Sequence, residues 1–473
     1  MIRTIAQKEF TSALRDERIW LLSFVVFVLL LVAVTSSVSS HLMLSKERIS
    51  AQNHADEEFK SQPGRHPHRM AHYGSFAIRP NSPLSLLDKG LDGYTGTMIF
   101  LEAHQQNSAN FSQIQQSSSL MRFGEMTVAF VLQWLIPLLI IFLTFNAFTQ
   151  EKEEGTLKVL LSQGVTITQI AKGKILGYGK ATLLIILPSL LMVAVIIVYN
   201  NNLQWTADLL LRFLVFLFAY LCYFFIVLAG SIFVSAINTH SRSSLVTLLA
   251  IWIFSCIILP KGLANLGGNL YEAPNKATMD ASVHKEALQA MNGHDPLDKK
   301  TAEFKRKILL KYKVDSVSQL PFNIDGLVMA EGESISSKAY QEHFEDLVSI
   351  YKSQNRLSIW AGFLDPYLAV RYLSMGMAGT DYEHFVDFQN AAEQYRFKLA
   401  QYLNNLQATK MQYKDKESRL SNTYWKEFPV FHYQLPEAKW AMSQHLISVA
   451  ALLWWVIIAY FSILFLLNRF SKI

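Results

Sequence analysis

Apolar residues in this chain fall into long unbroken runs, separated by stretches that read like ordinary soluble protein. A helix needs about 20 apolar residues to cross a bilayer. Six runs reach or approach that length, at 19–38, 128–148, 175–199, 209–234, 245–260 and 446–467. Each is expected to be a spanning helix, the fifth being the shortest. Pro137 and Pro188 lie inside the second and third. Proline is tolerated in a spanning helix where neighbours satisfy the freed carbonyl, so both are read as kinks. The first run is longer than a leader core and follows a segment holding Glu9, Asp16 and Glu17, which suits an anchor better than a cleaved leader.

The polar stretches have patterns of their own. In 1–18, Ile2, Ile5, Phe10, Ala13 and Leu14 form an apolar face bordered by Arg3, Lys8, Arg15 and Arg18, the pattern of a helix lying in the membrane interface. Residues 41–125 begin as a charged helical continuation of the first span to about Lys60, followed by a loop rich in Pro, Gly and His. Residues 261–445 read as mostly helical. In 380–412, Phe385, Phe388, Ala392, Tyr395, Leu399, Tyr402 and Leu406 step alternately by three and four, a coiled-coil seam. Tyr340, Phe344, Leu347 and Tyr351 make a shorter matching stripe, so two long helices packed as a hairpin are expected. Asp365-Pro366 between them is placed to cap a helix with proline at its first position. The fold class is therefore an all-α polytopic membrane protein with six transmembrane helices and two extracytoplasmic, mainly helical inserts. The division is 1–18 interfacial helix, 19–40 first span, 41–125 first insert, 126–260 spans two to five with a cytoplasmic loop at 149–174, 261–445 second insert, and 446–473 sixth span and tail.

Composition and charge sharpen this. Of 473 residues, 51% are hydrophobic and only 17% charged, with a net charge of +6. That excludes a disordered chain and a single soluble globule. The Lys and Arg residues are scattered rather than striped among aromatics, so nucleic acid is not an expected partner. Lys152, Lys158, Lys172 and Lys174 in the 149–174 loop, Arg242 after the fourth span, and Arg469 and Lys472 in the tail mark the cytoplasmic side. The connection 199–208 lacks Lys and Arg. Both termini are therefore expected in the cytoplasm. Cys222 and Cys256 both lie in apolar runs, which leaves no disulfide framework for the inserts.

Within the 149–174 loop, Glu151, Glu153 and Glu154 make an acidic helix start. Leu157, Leu160 and Leu161 then form one short apolar ridge, closed by Gln163-Gly164. Such a ridge needs something to dock on, either a partner or the chain's own spans.

The run E-x-x-E-G-T-L-x-x-L-L-S resembles the permease subunits of type-2 ABC-type exporters, where this loop is the element seated on a separate ATP-binding subunit. The resemblance implies that coupling role for Glu151, Glu154, Gly155, Thr156, Leu157, Leu160, Leu161 and Ser162, with Lys174 also matching. Where the family often has a proline after Leu-Leu-Ser, this chain has Gly164. The opening I-A-x-K-E-F is similar too. The stretches L-E-A-H, L-P-F-N-x-D-G-L and A-G-T-D resemble a narrower group with large extracytoplasmic inserts between spans one and two and between spans five and six.

This implies a multi-pass protein of the bacterial cytoplasmic (inner) membrane, acting with an ABC-type ATP-binding subunit and with a second permease copy or paralogue. No G-x-x-x-x-G-K-[ST] occurs in the chain, so ATP and Mg are expected on the partner and none on this chain, which is not expected to be an enzyme. The alternative is a mechanical transmitter, in which ATP-driven motion of the spans moves the inserts against an envelope partner. His66, His68, His72 and His104, with Glu102, are of the type that binds zinc or copper. Their spacing matches no fixed zinc pattern, so the expected metal assignment is none. Among apolar runs, Gln133 is expected to bond between helices, and Lys180 and Arg212 to snorkel to the interface.

Overall fold

The computed structural model describes residues 1–110, 112, 126–199, 205–290, 298–413 and 418–470. The expected polar connection at 200–204 and the tail residue Lys472 lie outside these. In chain order the helices are α1 (Ile2–Arg15), α2 (Glu17–Ser61) and α3 (Pro67–Tyr73), then strands β1 (Ser75–Ile78) and β2 (Met98–Leu101). They continue as α4 (128–144), α5 (Thr149–Glu153), α6 (Thr156–Ser162), α7 (Ile167–Tyr199), α8 (Ala207–Ile237) and α9 (Ser241–Leu270). The second insert holds α10 (Lys276–Ala290), α11 (Lys299–Tyr312), α12 (Ile324–Trp360), α13 (Pro366–Ala378), α14 (Tyr382–Lys410), α15 (Thr423–Glu427) and α16 (Ala438–Gln444), and α17 (Leu446–Phe470) closes the chain.

Five helical stretches among the described residues are long and apolar enough to cross a membrane: Ile19–Ser61, Val128–Glu153, Ala207–Ile237, Ser241–Leu270 and Leu446–Leu464. The expected third span lies within α7. Trp20, Phe24, Phe218, Val246 and Phe461 stay exposed on the outside of this bundle, as side chains facing lipid would.

Two prolines are accommodated in the same way. A π-helical turn, Val131–Leu135, precedes Pro137, and another, Phe254–Ile258, precedes Pro260. A proline ring clashes with the carbonyl four residues back, and a wider turn moves that carbonyl aside. The Tyr223 hydroxyl donates to the Gln133 carbonyl at 3.3 Å, and the Trp252 indole to the Trp134 carbonyl at 3.2 Å. The helix that holds the expected fifth span is longer than 245–260, because it continues past Pro260 to Leu270. The Gln133 side chain donates to the Tyr220 hydroxyl at 2.8 Å, an interhelical bond between α4 and α8.

At one end of the bundle lie α1, α5, α6 and the α8–α9 turn. At the other lie the inserts. Arg212, near the start of α8, ties them to the spans. It is 1% exposed and does not snorkel to solvent. Its guanidinium donates to the Gly376 and Met377 carbonyls at the end of α13 and to that of Pro436, and pairs with Asp208 at 3.1 Å. A helix carboxyl end carries unsatisfied carbonyls and partial negative charge, which a guanidinium stabilises. Lys180 is exposed.

The inserts are helical with one correction to an all-α reading. β1 and β2 pair antiparallel, Ser75 opposite Leu101 and Ile78 opposite Met98. At 45 residues, α2 is about 68 Å long by helical rise, so it passes well beyond a bilayer core. Its projecting end reaches the sheet, where the Gln52 amide donates to the Phe76 carbonyl and accepts from the Ile78 N–H.

The long helices α12 and α14 pack together, and Asp365 caps α13 between them by accepting from the Tyr367 N–H, with Pro366 at the first position. However, the α14 seam meets α12 only in part: Phe385 lines a cavity with Tyr340, Phe344, Leu347 and Tyr351 of α12. Phe388 and Ala392 pack with Ala77, Ile99 and Leu101 of the hairpin, while Leu399 and Leu406 pack with Phe59, Met70 and Trp425. The rest of the seam is apolar because the first insert covers it. Facing α12, α14 also offers a buried ion cluster. Arg396 donates to Glu333 and to the Ser337 hydroxyl, and pairs with Glu393 at 2.7 Å.

Candidate functional site

The loop between the second and third expected spans forms an elbow. Helices α5 and α6 meet at Gly155, whose φ of +75° is a left-handed conformation that side-chain-bearing residues rarely adopt. Nothing lies near the position of a Cβ there, so backbone conformation, not space, calls for glycine. Gly164, with φ of +79°, closes α6 in the same way.

One arm is fastened to the α8–α9 turn. The Lys152 ammonium donates to the carbonyls of Ala236 and Asn238, the latter at 2.7 Å, where the end of α8 presents negative partial charge. The Glu153 carboxylate accepts from the Ser241 N–H and hydroxyl, both at 2.8 Å, and so caps the start of α9. Thr149 and Ser241 share a hydroxyl bond of 2.9 Å.

The same arm is also fastened to α1 and α7, by a cluster of four charges that includes Glu151. The Lys174 ammonium, 1% exposed, donates to Glu9 and to Glu151, each at 2.9 Å. Lys8 reaches the same carboxylates from outside, at 2.9 and 3.3 Å. The Lys174 ammonium also lies 5.5 Å from the Phe148 ring centre. Burial alone would raise the Glu9 pKa, but the attraction of Lys174 outweighs it and holds the carboxyl below its usual range.

Close approach of α1 to α7 depends on Gly173 and Gly177, one helical turn apart. A Cβ on Gly173 would sit 2.6 Å from the Ile5 side chain, and one on Gly177 would sit 2.6 Å from the Ala6 carbonyl oxygen. Helix α1 is thus seated on a protein groove rather than lying alone in an interface, with Ala6, Glu9 and Ala13 on its buried side.

The residues singled out in the sequence divide sharply. Glu154, Gly155, Thr156 and Ser162 are exposed at the tip, with Lys158 and Val159 beside them. Glu151 is buried in the charge cluster. Of the two dockings expected for the leucine ridge, a partner or the chain's own spans, the isolated chain shows the second. Leu157 is buried, and Leu160 and Leu161 are half-buried, all against the chain's own core near Phe148, Val165 and Ile167. A three-leucine ridge on a seven-residue helix beside an apolar bundle finds cover there first. The exposed apolar group is Val159, 55% accessible. Sequence reading missed Lys8 and Glu9 as parts of this site. Their partners are far along the chain, and the signal for the contact was the Gly173/Gly177 spacing.

In the inserts, His68, His72 and His104 come together, whereas His66 caps the start of α3 by accepting from the His68 N–H. Within the bundle, a cavity of about 450 Å³ lies between α4, α8, α9 and α17. It is lined largely by apolar side chains such as Ile226, Trp252, Leu259 and Trp455, with Asp365 and Ser255 among them.

Residues 82–269 match the ABC-2 family transporter protein family, and residues 276–434 match a domain of unknown function (DUF3526). The first match takes in α4 to α9 and the whole elbow. No curated protein matches the chain. The match supports an ABC-type permease, a multi-pass membrane subunit of a family that is typically non-enzymatic and that implies an ABC ATP-binding partner.

Proposed function

We propose that this chain is the permease subunit of an ATP-driven ABC-type exporter, with the elbow at 149–166 as its seat on a separate ATP-binding subunit. The observation that carries the reading is the fastening of that elbow. One projecting tip is tied by Lys152 and Glu153 to α8 and α9, and by Glu151 to α1 and α7. A push on the tip would reach three spans through charged contacts rather than through a slack loop. ATP and Mg belong to the partner, and the working unit holds a second permease copy or paralogue.

In this reading α7 is the third of six spans, both termini and the elbow face the cytoplasm, and the inserts face outward from a bacterial inner membrane. A cysteine at exposed Lys338 should then react with an impermeant reagent in intact spheroplasts, and one at Thr156 only after lysis. The reverse pattern would overturn the orientation.

The seat itself is tested at exposed residues. Val159→Asp with Lys158→Glu changes the tip without touching the core, so folding should be unchanged. Binding of the cognate ATPase in a pull-down should fall at least about tenfold, the scale of a charge placed in an apolar contact, and substrate-coupled hydrolysis should fall with it. Leu157→Asp is not a clean test, because it would damage the chain's own packing. Undiminished ATPase binding by the tip variant would remove the elbow from the coupling role.

A further inference from the structure

We propose that His68, His72 and His104 form a binding site for a divalent transition metal of the zinc class, which ties α3 to the turn after β2 within the first insert. Two separate segments, α3 and the turn after β2, deliver the imidazoles. His68 and His72 are one helical turn apart on α3, and so share a face. His104 follows β2 in a left-handed conformation, with φ of 69°, an uncommon state for a residue other than glycine.

One ligand nitrogen from each ring lies within 4.8 Å of the others. The Nε2 atoms of His68 and His72 are 3.2 Å apart. With metal–nitrogen bonds of about 2.0–2.1 Å, the edge of a tetrahedral site is about 3.3 Å. This pair is already at coordination spacing, and His104 needs only a small side-chain movement to join it.

A second observation points the same way. His104 Nδ1 lies 3.0 Å from Glu333 Oε2, and the His104 N–H donates to the same oxygen at 2.8 Å. Metal-binding histidines almost always hand their other ring nitrogen to a carboxylate or carbonyl, which sets the tautomer and orients the ring. Here Nδ1 faces the carboxylate, so Nε2 is the coordinating nitrogen. Glu333 is fully buried and held by Arg396, and Arg396 also donates to the Glu102 carbonyl at 3.0 Å. The orienting shell is therefore rigid and belongs to α12 and α14.

Three neutral nitrogen ligands suit Zn²⁺, Cu²⁺ or Ni²⁺ over Mg²⁺ or Ca²⁺. Glu102 is turned toward Gln105 and Asn107. The fourth position is left to water, and His72 is exposed at that mouth. Occupation would join α3 and the β2 loop to α12 through His104 and Glu333. The site stands independently of the transport reading.

The test uses tag-free, full-length protein in detergent, stripped with a chelator and titrated with zinc, with cobalt as a spectroscopic probe. Expected are one equivalent per chain, the strong visible bands of tetrahedral cobalt, and a zinc-dependent rise in melting temperature. His72→Ala changes an exposed side chain and should fold normally, while weakening zinc at least about tenfold and removing the thermal shift. Glu333→Gln should weaken zinc about 10–100-fold and alter the cobalt spectrum. His66→Asn keeps the α3 cap and should bind as the unaltered protein does. Absence of stoichiometric zinc binding would overturn the proposal, and so would equal affinity in the His72→Ala variant.

Discussion

Lys174→Met should release α1 from α7 and lower the stability of the whole bundle by about 3 kcal/mol. Removing one partner of a buried ion pair leaves the other charge uncompensated, at a typical cost of about 3–5 kcal/mol. The lower end applies here, because Lys8 still reaches Glu9 and Glu151 from the exposed side. The measurement is thermal unfolding in detergent, together with proteolysis of the first 15 residues. Glu9→Gln combined with Lys174→Met should recover part of the loss, since buried pairs are often replaceable when both charges go.

The pH dependence has a definite sign. Glu9 is held below the ordinary glutamate range by Lys174 and Lys8, so its contribution is complete above that range and is lost as pH falls through the lower folded value. A Lys174→Met protein that melts with the unaltered one, and keeps α1 protected from protease, would refute the cluster's role.

The second large effect is expected in the inserts. Arg396→Met leaves Glu333, with no exposed surface, without its cation and held by His104 and, at 3.5 Å, the Ser337 hydroxyl. The expected loss is again about 3–5 kcal/mol, read as loss of protease resistance in 261–445 while the spans still insert. Arg396→Lys should not rescue it fully, because one ammonium cannot reach Glu333, Glu393 and the Glu102 carbonyl in the fork geometry that arginine provides.

Acid should act on the same cluster. Burial raises the Glu333 pKa, but the His104 hydrogen bond and the charge of Arg396 more than offset it, leaving the carboxyl at about 2. Its contribution is full above pH 4.5 and disappears between 4.5 and about 2. Tryptophan fluorescence of Trp425 and its neighbours across that range should show the transition in the unaltered protein and a flatter response in Glu333→Gln. Identical acid titrations of the two would show that Glu333 does not govern the acid response.

What was legible depended on the range of the interaction. The spans were readable because each run satisfies its own backbone bonds and declares itself by length. The elbow was readable in its glycines and acids, since Gly155 and Gly164 mark turns by local conformation. The histidines were visible as a candidate group, but not which of them meet: His66 caps α3 instead of joining the others. His68 and His72 are four apart, whereas His104 joins them only because β2 pairs with β1 and returns the chain alongside α3. The α14 seam was seen as apolar, but beyond Phe385, which meets the α12 stripe, its neighbours Phe388, Ala392, Leu399 and Leu406 pack elsewhere. Periodicity shows which face is buried and carries no information about what buries it.

By itself the sequence determined a mostly helical protein with several helices apolar and long enough to span a membrane, where helices begin and end around residues such as Asp365 and Gly164, and which loops carry the positive charge. These follow from bilayer thickness, hydropathy and local backbone preference, each a property of a short window. The tertiary structure alone decided that Leu157 turns inward and Val159 outward, that Lys174 gathers Glu9 and Glu151, that Arg212 holds α13 instead of reaching for solvent, and that Glu333 orients His104. Each of these rests on desolvation. A charge or an apolar side chain far along the chain becomes a partner only once packing has excluded water from between them, and that exclusion is a property of the assembled fold.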